Sequence, residues 1–392
     1  MSYNYTKTKL ACYSGFVVQA IVNNFLPILF IILQDSYDLS YEALGRIVLF
    51  NFCTQIAADL LTPKITDLVG YKGCAALSQF TAALGLIMLS FMPNVCSSPY
   101  VGIVISVVVY AIGSGMMEVI LSPIMELLPT KNKGANMAFT HSFYCWGQAF
   151  TVILTTVFVK IIGDVNWNFI PIIWAVIPLI NVVAFTRVRV VEPPKEQRGG
   201  SLKGIMRERT FYCFMIFMFC AGASEIAMAE WASMFAQQGL GVNKVTGDLL
   251  GPCAFAVCQG TGRVVFGAFS GRYSARKALI YNNILCAVCY FAVGVCDIKW
   301  LSLVACALCG FSVSLSWPGT YSIAATRFKN GGTKMFSIFA FCGDLGCSLG
   351  PWLLGLIADF CGLATGFVVC AAFPLIMVLT ALTVKENDCK VN

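Results

Sequence analysis

Residues 100–117 read YVGIVISVVVYAIGSGMM, eighteen in succession without a charge, and the next residue is Glu118. At 1.5 Å per residue the run makes about 27 Å of helix, close to the ~30 Å hydrocarbon core of a bilayer. It must be helical, because lipid offers no partner to a backbone N–H or C=O. The apolar character continues beyond Glu118 to Leu128, so the carboxyl lies inside the membrane. A charge placed there costs about 2.5–3.5 kcal/mol on insertion scales and marks a polar pathway. The same stretch therefore gives the class of the chain and its first candidate site.

The rest of the chain repeats this pattern. Hydrophobic residues make up 58% and charged residues only 11%, about half the charge that a water-facing surface needs. Twelve spans are predicted, at 10–33, 41–62, 74–92, 99–128, 136–162, 167–187, 210–239, 246–270, 277–296, 300–325, 334–358 and 364–384, numbered here 1 to 12. Of the 26 basic residues, only Arg46, Lys160, Lys244 and Lys299 fall on one side. The positive-inside rule makes the other side cytoplasmic and puts both termini there, in a multi-pass protein of the cell (inner or plasma) membrane. The net charge of +7 is explained by cationic loops facing anionic lipid, with no call for nucleic acid. No small-residue cleavage site ends Leu10–Leu33 within signal-peptide length, so span 1 is expected to remain. Nearly all of the nineteen cysteines lie within spans as small apolar filler. Cys96 and Cys296 are the two that face outward, and no disulfide is expected between them.

Between spans 6 and 7 lies RVRVVEPPKEQRGGSLKGIMRERT, residues 187–210, with the only Pro-Pro pair in the chain and a Gly-Gly. It divides the chain into an N-terminal six-helix bundle at 1–188, a cytoplasmic linker at 189–209 and a C-terminal six-helix bundle at 210–392. The halves repeat at an offset of 204 residues. PKITDLVGYK, Pro63 to Lys72, follows span 2, and GAFSGRYSAR, Gly267 to Arg276, follows span 8. Both resemble the G-x-x-x-D-R-x-G-R-K loop of the major facilitator superfamily, with Pro63, Leu68 and Gly271 as departures. The resemblance implies an all-α fold of two pseudo-symmetric bundles, and makes Asp67, Lys72 and Arg272 gating residues. The same offset sets Asp59 against Arg263 near the cytoplasmic mouth, as a candidate gate.

Within that superfamily the chain is similar to the fucose permease branch of sugar/proton symporters. The matching residues are Asn23-Asn24, Gly115-Met-Met-Glu118 with Ser122-Pro123, Phe143-Tyr-Cys-Trp146-Gly147, Gly262-Arg263, Ser314-Leu-Ser-Trp317-Pro318-Gly-Thr-Tyr321-Ser322 and Gly350-Pro351 with Gly355. The resemblance implies that Glu118 takes part in proton coupling and solute recognition. The family's acid in span 1 falls at Pro27 here, and its asparagine in span 5 falls at Tyr144. Asp344 is the expected substitute for the missing acid, with Glu225 as a further coupling carboxyl.

Counted from the cytoplasmic ends, Asn23, Glu118, Tyr144, Gln148, Glu225, Trp317 and Asp344 lie about 12–22 Å deep. Gln19 with Asn23, His141 with Tyr144 and Gln148, and Trp317 with Tyr321 recur at three- or four-residue spacings and so share helix faces. Amides, acids and aromatic rings on converging faces suit a polyol, whose hydroxyls need hydrogen bonds and whose C–H faces stack on rings. The predicted solute-binding set is Asn23, Gln19, His141, Tyr144, Gln148, Glu230, Trp231, Trp317 and Tyr321. Asn51, Gln55, Gln259 and Asn282 read instead as residues that join helices, by hydrogen bonds worth ~0.6 kcal/mol on average. Glycines such as Gly346 and Gly350 read as close-packing positions.

The expected activity is import of a small neutral solute, a monosaccharide, with a proton, by alternating access. Glu118, protonated in a low-dielectric cavity, would bind solute in that state and release its proton to the cytoplasm. The alternative is proton-coupled efflux of amphipathic compounds. An intramembrane enzyme finds no metal-ligand or nucleophile motif, and a non-transporting sensor is the remaining class. No cofactor is expected beyond the proton gradient, and the only partners are the solute and lipid around a monomer.

Overall fold

A helix in lipid must satisfy its own backbone, so a proline, which lacks the N–H, leaves a carbonyl to be answered otherwise. The computed structural model describes residues 5–129, 133–191, 204–269, 274–296, 298–328 and 332–384. Among these residues every regular element is helical, and eleven helices are long and apolar enough to cross a membrane. They are α1 Thr6–Tyr37, α2 Tyr41–Val95, α3 Pro99–Met125, α4 Phe139–Ile162, α5 Asp164–Arg187, α6 Arg209–Gly239, α7 Lys244–Phe266, α8 Arg276–Val295, α9 Lys299–Tyr321, α10 Ile338–Cys361 and α11 Leu363–Thr383.

The irregularities fall where the sequence puts proline and glycine. Pro27 cannot bond the Asn23 carbonyl, and α1 tightens into a 3₁₀ turn over Leu26–Leu29 at that point. Pro252 cannot bond the Asp248 carbonyl, and α7 widens into a π turn over Leu249–Cys253. The 55 residues of α2 make about 83 Å of helix, far more than one crossing needs. Its ladder breaks at Gly70, with φ 72° and ψ 171°, a backbone region open to glycine. The expected loop after span 2 is thus a single turned residue with helix on both sides.

Contacts divide the chain into two compact units, Met1–Ser40 with Phe50–Pro193, and Tyr41–Leu49 with Pro194–Asn392. In the first, α1 packs against α3, α4 and α5. Gly147 of α4 lets it approach Val17 and Ala20, and Asn181 of α5 donates to the Ala11 carbonyl at 3.2 Å. The outer face of α5 exposes Ile172, Val176, Ile180 and Val183, an apolar stripe suited to lipid.

In the second unit α6 and α10 form the tightest pair, through Gly222 on one helix and Gly343, Gly346 and Gly350 on the other. The first nine residues of α2 also belong here. Asp359 of α10 caps them, accepting from the backbone N–H groups of Tyr41 at 2.9 Å and Glu42 at 2.8 Å. A carboxylate at a helix N-terminus answers orphan donors and the dipole together. Tyr41 also donates its hydroxyl to Gln238, and Trp352 donates to Glu42. All eighteen described cysteines are free thiols, Cys96 and Cys296 included.

A Cβ at Gly346 would lie 2.0 Å from the Phe219 carbonyl oxygen, whereas one at Gly204 would meet nothing within 4 Å among the described residues. Gly346→Ala is therefore expected to lower stability by about 1–3 kcal/mol. Thermal unfolding in detergent should show a clear fall in Tm for Gly346→Ala, with Gly204→Ala at the parent value. An unchanged Tm for Gly346→Ala would contradict the close α6–α10 contact.

Candidate functional site

Each unit carries its own set of buried polar groups. In the first, the Gln19 amide of α1 donates to Glu118 Oε2 of α3 at 3.1 Å. Gln19 is buried and Glu118 half-buried, so the carboxyl keeps a face open while its position is fixed. Five residues along α1, Asn24 donates to the Tyr144 hydroxyl of α4 at 3.3 Å. His141, a turn before Tyr144, has Nε2 3.2 Å from Ser122 Oγ of α3, with the Phe16 ring 4.9 Å from its own. Tyr13 stacks on Phe143 at 4.4 Å below them. The structure thus brings together Gln19, Glu118, His141 and Tyr144, with Asn24 and Ser122 as linking groups. Gln148 is buried one further turn along α4.

Asn23 stands apart from these. Its Oδ1 accepts from Gln55 at 3.0 Å, Asn51 at 3.4 Å and Ser114 at 3.2 Å, and Ser114 also lies 2.9 Å from Gln55 Oε1. All four side chains are buried. The cluster ties α1, α2 and α3 together, with Asn23 as its centre. Asn51 and Gln55 act here as the helix-joining residues that their type suggested.

In the second unit Glu225 of α6 pairs with Arg263 of α7 at 3.4 Å, with side chains only 9% and 15% exposed. Trp317 and Tyr321 of α9 lie with ring centroids 6.3 Å apart. The Trp317 ring presses on Gly343, where a Cβ would be 2.3 Å away, and Asp344 is buried next to that contact. Trp231 is fully buried, donates to the Pro351 carbonyl at 3.0 Å and meets Tyr41 edge to face, which makes it a packing residue of the α6–α10 seam. Glu230 is 2% exposed, and neither carboxyl oxygen has a hydrogen-bond partner among the described residues.

The candidate gating residues are only partly described. Asp67 and Lys72 are exposed on either side of the Gly70 break. Asp59 is half-buried beside Gly115, where a Cβ would lie 2.9 Å from its Oδ1. Gly271 and Arg272 lie outside the described residues. Arg276, at the end of the second repeated segment, donates to the Ala381 and Leu382 carbonyls and closes the end of α11. A cavity of about 370 Å³ in the second unit, lined by Tyr41, Gln238 and Lys299 among others, contains none of the predicted solute-binding residues.

Sequence reading missed Asn24 and Ser114 as polar contacts, and missed Asp248 altogether. Asp248 falls three residues into span 8, where a carboxylate reads as wet, yet its exposure is 0%. Among the described residues no group of three His, Cys, Asp or Glu is placed to hold a metal ion.

A family model described as Major Facilitator Superfamily matches residues 11–351 and 253–388. The chain is 21% identical over 350 residues to the membrane protein MosC of Rhizobium meliloti, covering 88% of this chain and 82% of that one. Among solved structures it is similar to a D-xylose–proton symporter, with TM-score 0.83, 14% identity and coverage of 98% and 99%. The inward-open, partially occluded xylose transporter of E. coli gives 0.78, 13% identity and 96% of each chain. The FucP transporter in the outward conformation gives 0.67, 18% identity and 96% and 98%. At these identities the structures show a shared fold.

The Glu225–Arg263 pair is expected to behave as a buried ion pair. Glu225→Leu leaves Arg263 a buried cation short of its carboxylate and should cost about 3 kcal/mol or more. Adding Arg263→Met should recover part of that loss. Thermal unfolding of the two single variants and the double variant measures it, and costs that simply add would show that the two side chains do not interact.

Proposed function

The chain belongs to the major facilitator superfamily, and from that premise we propose that it is a twelve-span secondary transporter carrying a small neutral polar solute, a monosaccharide, together with a proton. The twelfth crossing of that count comes from α2, whose 55 residues suffice for two crossings about Gly70. Loop charge argues for both termini in the cytoplasm, and alternating access in the cell membrane is the mode of transport proposed.

One observation carries the reading. Gln19 holds Glu118 from one side, while Asn24–Tyr144 and His141–Ser122 present further hydroxyl, amide and imidazole groups on the same three helices. Sugar hydroxyls both donate and accept, and this set offers both functions with no lysine or arginine among its members. Gln19 can donate to Glu118 whether the acid is charged or neutral, so the carboxyl keeps its place when it loses its proton. Protonated Glu118 offers an O–H to the solute, and deprotonated Glu118 does not. That difference links proton release to solute release. Trp317 and Tyr321 supply rings of the kind that stack on a sugar C–H face. Asp344 remains the proposed replacement for the acid missing at Pro27. Similarity of fold to xylose and fucose symporters supports the solute class.

Glu118→Gln should reduce pH-gradient-driven accumulation at least about tenfold, equivalent to about 1.4 kcal/mol, while counterflow exchange stays within a few-fold of the parent. The assay is uptake into liposomes of a panel of neutral monosaccharides beginning with xylose and fucose. Parent accumulation should fall as outside pH rises toward inside pH, and the variant should show little response. Equal accumulation by both proteins at every pH would remove Glu118 as the coupling acid.

A further inference from the structure

In the second unit the cavity of about 370 Å³ is enclosed by helix ends, those of α6 and α8 and the starts of α2, α9 and α11. Its volume lies in the range that holds a small ligand. The floor is apolar, made by Phe235 and Leu240 at the end of α6, Val293 of α8 and Leu363 of α11, all buried. One wall is the segment Phe235–Gly239, where α6 widens into a π turn of the kind that recurs at functional positions. Polar groups stand at the rim. Tyr41 donates its hydroxyl to Gln238 Oε1 at 2.7 Å, and Lys299, the first residue of α9, is exposed there.

Lys299 differs from its neighbour in kind. Lys244, at the start of α7, is held by Asp248 at 3.2 Å, and Asp248 also accepts from the Ser233 hydroxyl. Lys299 has no ion pair or hydrogen-bond partner among the described residues, and its ammonium lies beside Gly241, 3.5 Å from where a Cβ would stand. No aspartate or glutamate lines the cavity. A free cation at the mouth of a cavity without acids selects an anion, as basic pockets between membrane helices do. The residues that flank the lining in sequence are apolar and exposed, Ile298 and Trp300 beside Lys299 and Phe360 before Gly362, with Val295 of the lining itself. Exposed apolar groups at span ends face lipid, and tryptophan is the residue typical of the boundary between bilayer and water. The ligand must then be amphipathic, with charge for Lys299 and apolar surface for the floor and rim. A free inorganic anion would meet the lysine and leave the floor unfilled.

We infer that this cavity binds an anionic phospholipid, with the phosphate on Lys299 and the glycerol and first acyl carbons against the apolar floor. The site lies outside the transport reading and does not depend on it. A lipid held there touches five helix ends of one unit at once and braces them against each other.

The test is native mass spectrometry of the purified full-length protein in detergent, titrated with phosphatidylglycerol, phosphatidylcholine or inorganic phosphate. The parent should retain its tightest phosphatidylglycerol about fivefold more strongly than phosphatidylcholine, the attraction that one lysine adds for an anionic headgroup. Lys299→Met should remove that preference and Lys299→Arg should keep it, which separates loss of the site from loss of the fold. Ala364→Phe, which fills the cavity and leaves its charge alone, should remove the preference as well. Lys160→Met takes an exposed cation from the first unit and should change nothing. Equal retention of the two lipids by the parent would overturn the proposal, as would a preference that survives Lys299→Met or Ala364→Phe. Displacement of phosphatidylglycerol by inorganic phosphate would give the site to a free anion and overturn it equally. No solute or gradient enters these readings, so failure of the transport reading, seen as uptake by the parent that ignores the pH gradient, is a separate result.

Discussion

The constraint on which the rest depends is the cost of leaving a polar group unanswered in a low-dielectric interior. Each half of the chain meets it within its own fold at several of its buried acids and amides, Glu230 being an exception. Glu118 is met by Gln19, Glu225 by Arg263, Asp248 by Lys244 and Ser233, and the Asn23 amide by three neighbours. These pairings fix which helices touch and at what rotation. Glu225 is bound to a permanent cation, whereas Glu118 accepts from the neutral Gln19 amide and stays half-buried.

The helix irregularities lie close to the same groups. The Pro27 turn follows directly on Asn23 and Asn24, the two π turns flank Ser233 and Asp248, and the Gly70 break lies within the repeated segment that carries Asp67 and Lys72. Interrupted helices supply backbone groups and wider turns where polar side chains gather, at positions where straight helices would offer only packing. The first nine residues of α2, capped by Asp359, show how firmly one end of a helix can be tied to the second unit while the rest of it belongs to the first.

Hydropathy makes the spans legible, because lipid imposes one length and one composition on every crossing. The boundaries 99–128 and 210–239 fall close to Pro99–Met125 and Arg209–Gly239. The turn after span 2 was less legible, since one glycine at φ 72° replaces a whole loop. Glu118 announced itself by its isolation, and its spacing relative to Gln19 could not, because the two lie 99 residues apart on different helices. Asn23 and Trp231 read as solute contacts by type, and the structure adds the partners that spacing does not show, Gln55 for Asn23 and the Pro351 carbonyl for Trp231. Which face of a helix a residue occupies is set by packing against partners distant in sequence. Asp248 was hidden for the opposite reason, for an acid near a span end looks solvated until the neighbouring helix is seen to cover it.

The central claim is that solute and proton move together through the same protein. The most direct measurement loads liposomes containing the purified chain with a pH-sensitive dye, imposes no gradient, and adds xylose, fucose or another neutral monosaccharide outside. The account predicts that a transported sugar acidifies the interior, and that collapsing the pH change with a protonophore increases the sugar taken up. Sugar uptake with no change of internal pH would contradict it, and would make the protein a uniporter or a symporter of another ion.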